Sequence, residues 1–286
     1  MPTKRQISLC LIEEISVREF LESRGISRNR IKKFKLKSSF LDSVKKEISL
    51  PIDLLNDQII NPQFFRNDCK LIEETESFVS LHKPHNLHSH PLSYSEWDNC
   101  LSYLRSKNKW ELLEVNSTNY DRGLLYRLDF GTSGLLIFSK KEKFIQEFRK
   151  LPKKKIYLAI VQGRIDANFT FKHFIDFHGE KKRKARTNSS ESPNAKIEGR
   201  LIHFNEKRQL SLVEINLFEG LRHQIRAQMS SEGFPIYGDV LYGGKSAERI
   251  FLHAFKYEFE IEGRKYCFKD KDFTHSSRYF SKENYL

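Results

Sequence analysis

Cysteine is scarce and scattered. The four in 286 residues, Cys10, Cys69, Cys100 and Cys267, include no C-x-x-C pair. That spacing excludes a zinc ribbon or a dithiol redox centre and points to a reducing, cytoplasmic setting. Long apolar runs are also missing, so no segment is expected to span a bilayer and no membrane partner is expected. The opening "MPTKRQISLCLIEE" mixes cations with early acids. It lacks the apolar segment and small-residue cleavage site of a secretory signal, and it does not read as a transit peptide. There is no glycine-rich phosphate cradle. Acids are outnumbered: 37 Asp and Glu face 50 Lys and Arg, leaving a formal charge of +13.

What is present fits a folded chain with a polyanionic partner. Hydrophobic residues make up 38% and aromatics 13%, too much for a disordered composition despite 30% charged residues. The charge suits nucleic acid first. The length accommodates a small module and a larger domain.

Residues 1–66 read as that module. Ser16 and Glu19 have capping-box spacing, Val17, Phe20 and Leu21 follow at helical intervals, and Gly25 stops the helix. A second helix from Ser27 places Ile31 and Phe34 inward. Between Arg24 and Lys37 stand seven cations and no acid, among them Arg28, Arg30, Lys32 and Lys33. Such a run is either a solvated helix face or an RNA-binding one. With "ISLPIDLLNDQII" behind it as strand–turn–strand, the order resembles a small RNA-binding module first recognised in a ribosomal small-subunit protein.

Residues 67–286 alternate short strands with short helices, a mixed α/β or α+β pattern. Strands are expected at "SFVSLHKP", "GLLYRLD", "GLLIFS", "KKIYLAIVQGRI" and "RQLSLVEINLFEG". Helices are expected at "LSYSEWDNCLSYLRSK", capped by Ser93 or Ser95, at "KKEKFIQEFRK", and at "RHQIRAQMSSEG", closed by Gly233. "HGEKKRKARTNSSESPN", with five cations between Lys181 and Arg186, reads as a surface loop.

Four places could carry chemistry. Asp129 sits where an apolar segment enters the tight turn Gly131-Thr132-Ser133-Gly134. Desolvation there raises a carboxyl pKa and a nearby arginine opposes it; a turn aspartate capping backbone N–H groups satisfies the same pattern. Arg222, His223 and Arg226 share one side near a helix start, either as solvated cations or as an arginine sent inward to meet an acid. Tyr157 stands in an apolar strand, as a core phenol or as a ring that stacks on a base. His82, His85, His88 and His90 fall within nine residues. No carboxylate or cysteine stands at ligand spacing, so they read as a loop near RNA and no metal is expected.

Taken in order, these segments resemble the RluA-type RNA pseudouridine synthases. The likeness rests on Arg127-Leu128-Asp129-Phe130-Gly131-Thr132-Ser133-Gly134-Leu135, on Lys155-Ile156-Tyr157 with Val161-Gln162-Gly163, and on His223-Gln224-Ile225-Arg226. It continues through Pro235-Ile236-Tyr237-Gly238-Asp239, Leu241-Tyr242-Gly243-Gly244 and "LHAF" at Leu252 to Phe255. Tyr126 stands where that family usually has histidine, and Asn86 where it has glycine. Leu221 and Arg222 stand in its Gly-Arg-Thr-His-Gln stretch.

The resemblance implies an α+β fold, with a largely antiparallel mixed sheet flanked by helices and loops. It implies isomerisation of uridine in structured RNA, ribosomal before transfer RNA. Asp129 would be the catalytic carboxylate, Arg226 its partner, and Tyr157 the ring stacked on the detached uracil, helping to remove the proton from carbon 5. Arg127 would hold the flipped state, and Arg222, His223 and Lys83 would contact RNA. The rearrangement needs no group donor, so no cofactor and no obligate protein partner are expected. Two rival readings are a catalytically silent RNA-binding or ribosome-assembly protein and a phosphodiester hydrolase resting on the histidine loop.

Overall fold

In the computed structural model, the described residues are 6–11, 14–23, 26, 28–51, 54, 64–92, 96, 98–116, 119, 121–176, 184–188, 192–273 and 278–280. The chain divides into two compact units: residues 1–67, 88–124 and 138–142 form one, and residues 68–87, 125–137 and 143–286 the other.

In the first unit, β1 (Gln6–Cys10) pairs antiparallel with β2 (Glu47–Pro51). Between them come α1 (Val17–Ser23), α2 (Arg28–Lys33) and α3 (Ser38–Leu41). The capping box forms: Glu19 N–H donates to Ser16 Oγ at 3.2 Å and Ser16 N–H to Glu19 Oε2 at 2.9 Å. Val17, Leu21, Ile31, Leu41, Ile48 and Leu50 make a buried apolar cluster, with Phe20 and Phe34 packed against it. Each such side chain contributes about 1.5–3 kcal/mol on burial. The strand expected after β2 falls mostly outside the described residues; β2 instead finds its partner in β1, near the start of the chain.

Two further helices belong to this unit, α4 (Cys100–Ser106) and α5 (Trp110–Glu114). The first begins later than expected because Asn99 caps it, its Oδ1 accepting from Ser102 N–H at 3.0 Å. Ser93 and Ser95 lie outside the described residues.

The second unit is built on a ten-stranded sheet. Its strands are β3 (Lys70–Glu74), β4 (Phe78–Lys83), β5 (Ser133–Ser139), β6 (Lys153–Gln162), β7 (Asn168–Asp176) and β8 (Arg186–Asn188), then β9 (Ala195–Asn205), β10 (Leu210–Leu217), β11 (Leu252–Ile261) and β12 (Arg264–Lys269). The order is β3-β4-β5-β11-β6-β10-β9-β7-β8, with β12 also on β11. It is largely antiparallel, β5 and β11 being parallel. All seven residues of β5 are buried, as a central strand requires. The helix α6 (Glu142–Lys150) turns Phe144, Ile145 and Phe148 inward, and Phe144 stacks on Phe78 at 5.6 Å. The last helix, α7 (Gln224–Ser231), ends at Glu232, with Gly233 in the left-handed region.

Two expectations need correction. "GLLYRLD" is not a strand: Leu124 makes one bridge to Phe138, Leu125 N–H donates to Ile137 O at 3.0 Å, and 126–129 run outside any ladder. Ser139 N–H also donates to Gly123 O at 2.7 Å, so the pairing of this stretch with β5 is confined to residues 123–125 and ends before Tyr126. The stretch read as surface loop from 178 to 194 contains β8, paired to β7. Residues 177–183 and 189–191 lie outside the described ones.

Candidate active site

The turn after Asp129 is fixed from several directions, all within the second unit. Thr132 N–H donates to Asp129 O at 3.1 Å, and Leu87 N–H to Phe130 O at 3.3 Å. Lys83 was expected at an RNA surface; it is fully buried, its ammonium donating to Pro84 O, Leu87 O and Phe130 O at 3.0, 2.8 and 3.2 Å. Those carbonyls replace its hydration shell, so the side chain holds the turn. Gly134 is required at its position: φ is +118°, and an added Cβ would lie 2.5 Å from the Ala254 nitrogen.

Arg226 and Asp129, 97 residues apart, meet at 3.2 Å through Nη1 and Oδ2. Arg226 also grips a second acid. Its Nε and Nη2 donate to Asp239 Oδ2 and Oδ1 at 2.6 and 2.9 Å, a bidentate pair. Asp239 is 1% exposed, whereas the Asp129 side chain is 26% exposed, so only Asp129 is open to a ligand. Burial pulls the Arg226 pKa down, but Asp239, and then Asp129, outweigh it and raise it above the ordinary value. Two carboxylates therefore share one guanidinium.

His223 caps α7 in the left-handed conformation, φ 56°, and its Nε2 is 3.7 Å from Asp129 Oδ2, too far for a direct hydrogen bond. Burial lowers its pKa, and Arg226 and Arg222 add to this against the pull of Asp129, so it is neutral near pH 7. Tyr242 Oη accepts from Ala185 N–H at 2.7 Å, leaving its hydrogen for His223 Nδ1 at 3.0 Å.

Opposite this cluster stands a set of phenols. Tyr157 on β6 is 5% exposed, and its hydroxyl lies 2.8 Å from that of Tyr257. The Tyr257 ring stacks on Tyr126 at 4.2 Å and 2°, and Tyr126 donates to Leu135 O at 2.9 Å. Burial raises the Tyr157 pKa, and Asp129 adds to it, so the phenol keeps its proton at neutral pH. Two residues earlier on the same face, Lys155 donates to Glu219 O at 2.8 Å. Burial, helped by Lys153, lowers its pKa to about 8. Asp129, Arg226, His223, Tyr157, Tyr126, Tyr257, Lys155 and Arg127 all line one cleft of about 260 Å³. An acid, a fixed guanidinium and aromatic walls in a cleft of that size can hold a flat heterocycle beside a charged reacting centre.

The remaining residues are placed as follows. Arg127 is exposed at the rim of the cleft. Arg222 is exposed and precedes α7 instead of lying on it. Arg28 pairs with Glu22 at 2.9 Å, and Lys32 and Lys33 are exposed on α2; all belong to the first unit, as does the backbone of Arg30. Of the four clustered histidines, His82 pairs with Asp270 at 2.7 Å and His88 with Glu96. Among the described residues no three His, Cys, Asp or Glu side chains gather as a metal site. Sequence reading missed the role of Asp239 and the phenol set. Asp239 had one signal, its place at the end of the stretch Pro235-Ile236-Tyr237-Gly238-Asp239, which gave it no role.

Residues 77–231 match a family model described as RNA pseudouridylate synthase. The chain is 32% identical to the ribosomal large subunit pseudouridine synthase D of Borreliella burgdorferi, over 70% of this chain and 63% of that protein. It is 29% identical to the uncharacterized RNA pseudouridine synthase YhcT of Bacillus subtilis, over 74% of this chain and 71% of that one. It thus spans less than two thirds of the first of these relatives. Among solved structures, human RNA pseudouridylate synthase domain containing 1 superposes with a TM-score of 0.58 at 19% identity, covering 71% of this chain and 83% of that one.

Proposed function

The chain belongs to the RNA pseudouridylate synthase family, and from that premise we propose that it isomerises uridine to pseudouridine in ribosomal RNA. Asp129 is the carboxylate that acts on the nucleotide. The observation that carries this reading is the convergence of Asp129, Arg226 and Tyr157 on one cleft from distant parts of the chain.

The reaction breaks the bond from N1 to the sugar, turns the uracil and forms a bond from C5 to the same sugar carbon. The hydrogen lost at C5 is balanced by one gained at N1, so atoms and electrons balance without a co-reactant. The nucleotide must leave its stack to reach a recessed acid. Arg226 is held by Asp239 and so presents Nη1 to Asp129 without reorganisation. Because one guanidinium serves two carboxylates, the Asp129–Arg226–Asp239 group by itself carries one net negative charge, and its exposed member, Asp129, faces the positive charge that develops on the sugar as its base departs. An ionised Asp129 serves whether it attacks the sugar or takes a proton from it. Tyr157, protonated and hydrogen-bonded to Tyr257, stacks against the loose uracil and holds it beside Asp129 while the C5 proton is lost.

Ribosomal RNA is favoured over transfer RNA by the name of the Borreliella relative, a ribosomal large subunit pseudouridine synthase. Residues 1–66 are the candidate RNA-holding module, acting in the cytoplasm through Lys32 and Lys33. Among the described residues no helix is long and apolar enough to cross a membrane. The test is to incubate the protein with RNA carrying labelled uridine, digest it and separate the nucleosides. Label in pseudouridine is the expected result; RNA that is bound but unchanged would instead support the silent RNA-binding reading.

A further inference from the structure

A second depression, of about 690 Å³, adjoins the catalytic cleft. Arg149, Lys153, Leu217 and Glu219 border both, so the two are neighbours across a shared rim. The second continues past Lys154 to Phe218.

Phe218 is 41% exposed, and the backbone around it is tied by hydrogen bonds. Its N–H donates to Lys196 O at 3.4 Å. The next carbonyl, of Glu219, accepts from Lys155 at 2.8 Å, and the Glu219 carboxylate accepts from Lys196 N–H and Gln224 Nε2, each at 2.8 Å. With the backbone tied down, stacking a base need fix only the two side-chain torsions of the ring. The Lys196 ammonium lies 4.5 Å from the ring centroid and is itself paired with Glu198 at 2.5 Å, so it supports the ring from one side.

The cations divide into two kinds. Lys153 donates to Phe148 O at 2.8 Å and Leu151 O at 3.1 Å and so closes the end of α6. Arg149 and Lys154 are exposed on the border of the depression. Of its two acids, Glu219 is engaged as described, and Glu258 pairs with Lys256 at 3.2 Å.

We infer that this depression holds the single-stranded RNA flanking the target uridine, with one base stacked on Phe218 and one backbone phosphate on each of Arg149 and Lys154. Exposed aromatic rings interleaved with cations are the features that grip single strands without reading sequence. This rests on the uridine-isomerase reading for the neighbouring cleft.

Fluorescence anisotropy of labelled oligouridylates of increasing length, across a salt series, tests it. The expected result is that Phe218→Ala weakens the longer oligouridylates about 10-fold or more and leaves the shortest unaffected. Phe218→Trp restores binding, which also shows that the loop tolerates replacement, whereas Phe218→Leu does not. Replacing Arg149 and Lys154 together by alanine flattens the slope of log affinity against log salt by about 1.4, at about 0.7 for each phosphate contact. Wild-type affinity in Phe218→Ala at every length, an equal loss at all lengths, or binding by Phe218→Leu that matches Phe218→Trp would overturn the inference. The two readings fail separately. Length-dependent binding without pseudouridine keeps the RNA subsite and removes the isomerase, while pseudouridine formation without length dependence does the reverse.

Discussion

Two buried arginines contact the two ends of the Asp129 turn and are satisfied in opposite ways. Arg226, 6% exposed, meets two carboxylates, Asp239 and Asp129. Arg249, 5% exposed, donates to Ser133 Oγ and, at 3.2 Å, to Ile250 O, and it lies over the rings of Phe251 and Phe273 at 5.6 and 5.8 Å. Among the described residues no carboxylate lies within ion-pair distance of it, and burial lowers its pKa to about 10. Around it the network is closed. His253 is fully buried, bonded to Ser133 Oγ at 2.9 Å and to Asp270 O at 2.9 Å. The Ser, His and Asp here are no nucleophilic triad, because the serine is sealed from solvent and the histidine meets a main-chain carbonyl. The difference separates two jobs. Charges are paired, and left partly open, where a charged reaction must be handled; they are dispersed into neutral dipoles and rings where the turn only needs to be held.

The largest break in this comparison is expected at Arg226. Arg226→Met strands Asp239 as a buried unpaired charge and should cost about 3–5 kcal/mol in denaturant unfolding, together with pseudouridine formation. Arg226→Lys keeps the charge but cannot span both acids, so turnover should fall far more than stability.

Next come two pH dependences of opposite range. Burial, reinforced by Arg249 and His82 and opposed by Asp270, lowers the His253 pKa to about 4 from an ordinary 6.5. The unfolded chain therefore binds a proton that the folded one refuses, and stability falls as pH drops from 6.5 toward 4, by about 1.4 kcal/mol per unit. In His253→Gln that slope should be shallower when unfolding is followed by calorimetry. On the cleft side Lys155, at about 8, acts in the alkaline range. Between pH 8 and 10 only the unfolded chain keeps the Lys155 proton, so its contribution to stability rises with pH; Lys155→Met should lack that rise.

The smallest effect is expected at Arg249. Arg249→Met replaces a buried cation that has no carboxylate partner, so the loss should be about 1 kcal/mol or less, or a gain. A loss as large as that of Arg226→Met would erase the distinction between the two arginines.

Much of the second unit was legible because its central strands are apolar runs and its reactive side chains stand in short linear patterns. Asp129, Tyr157 and Arg226 could be picked out that way, and the structure brings them together. Asp239 could not be assigned, because nothing in "YGDV" tells that the acid is 1% exposed beneath a guanidinium. Nor could the phenol set, since Tyr126, Tyr157 and Tyr257 come from separate segments that meet only in the folded sheet. Lys83 was misread because its three acceptors belong to turns whose folding a charge count does not reveal. The strand β1 escaped notice because its partner, β2, lies some forty residues later, beyond any local pattern.

The most direct test is Asp129→Asn, assayed with enzyme in excess over RNA tritiated at uridine C5. The side chain keeps its shape and loses its charge. Release of tritium should stop, while RNA affinity and the thermal midpoint stay at wild-type values. Tritium released at the wild-type rate would show that the ionised Asp129 is not the catalytic group.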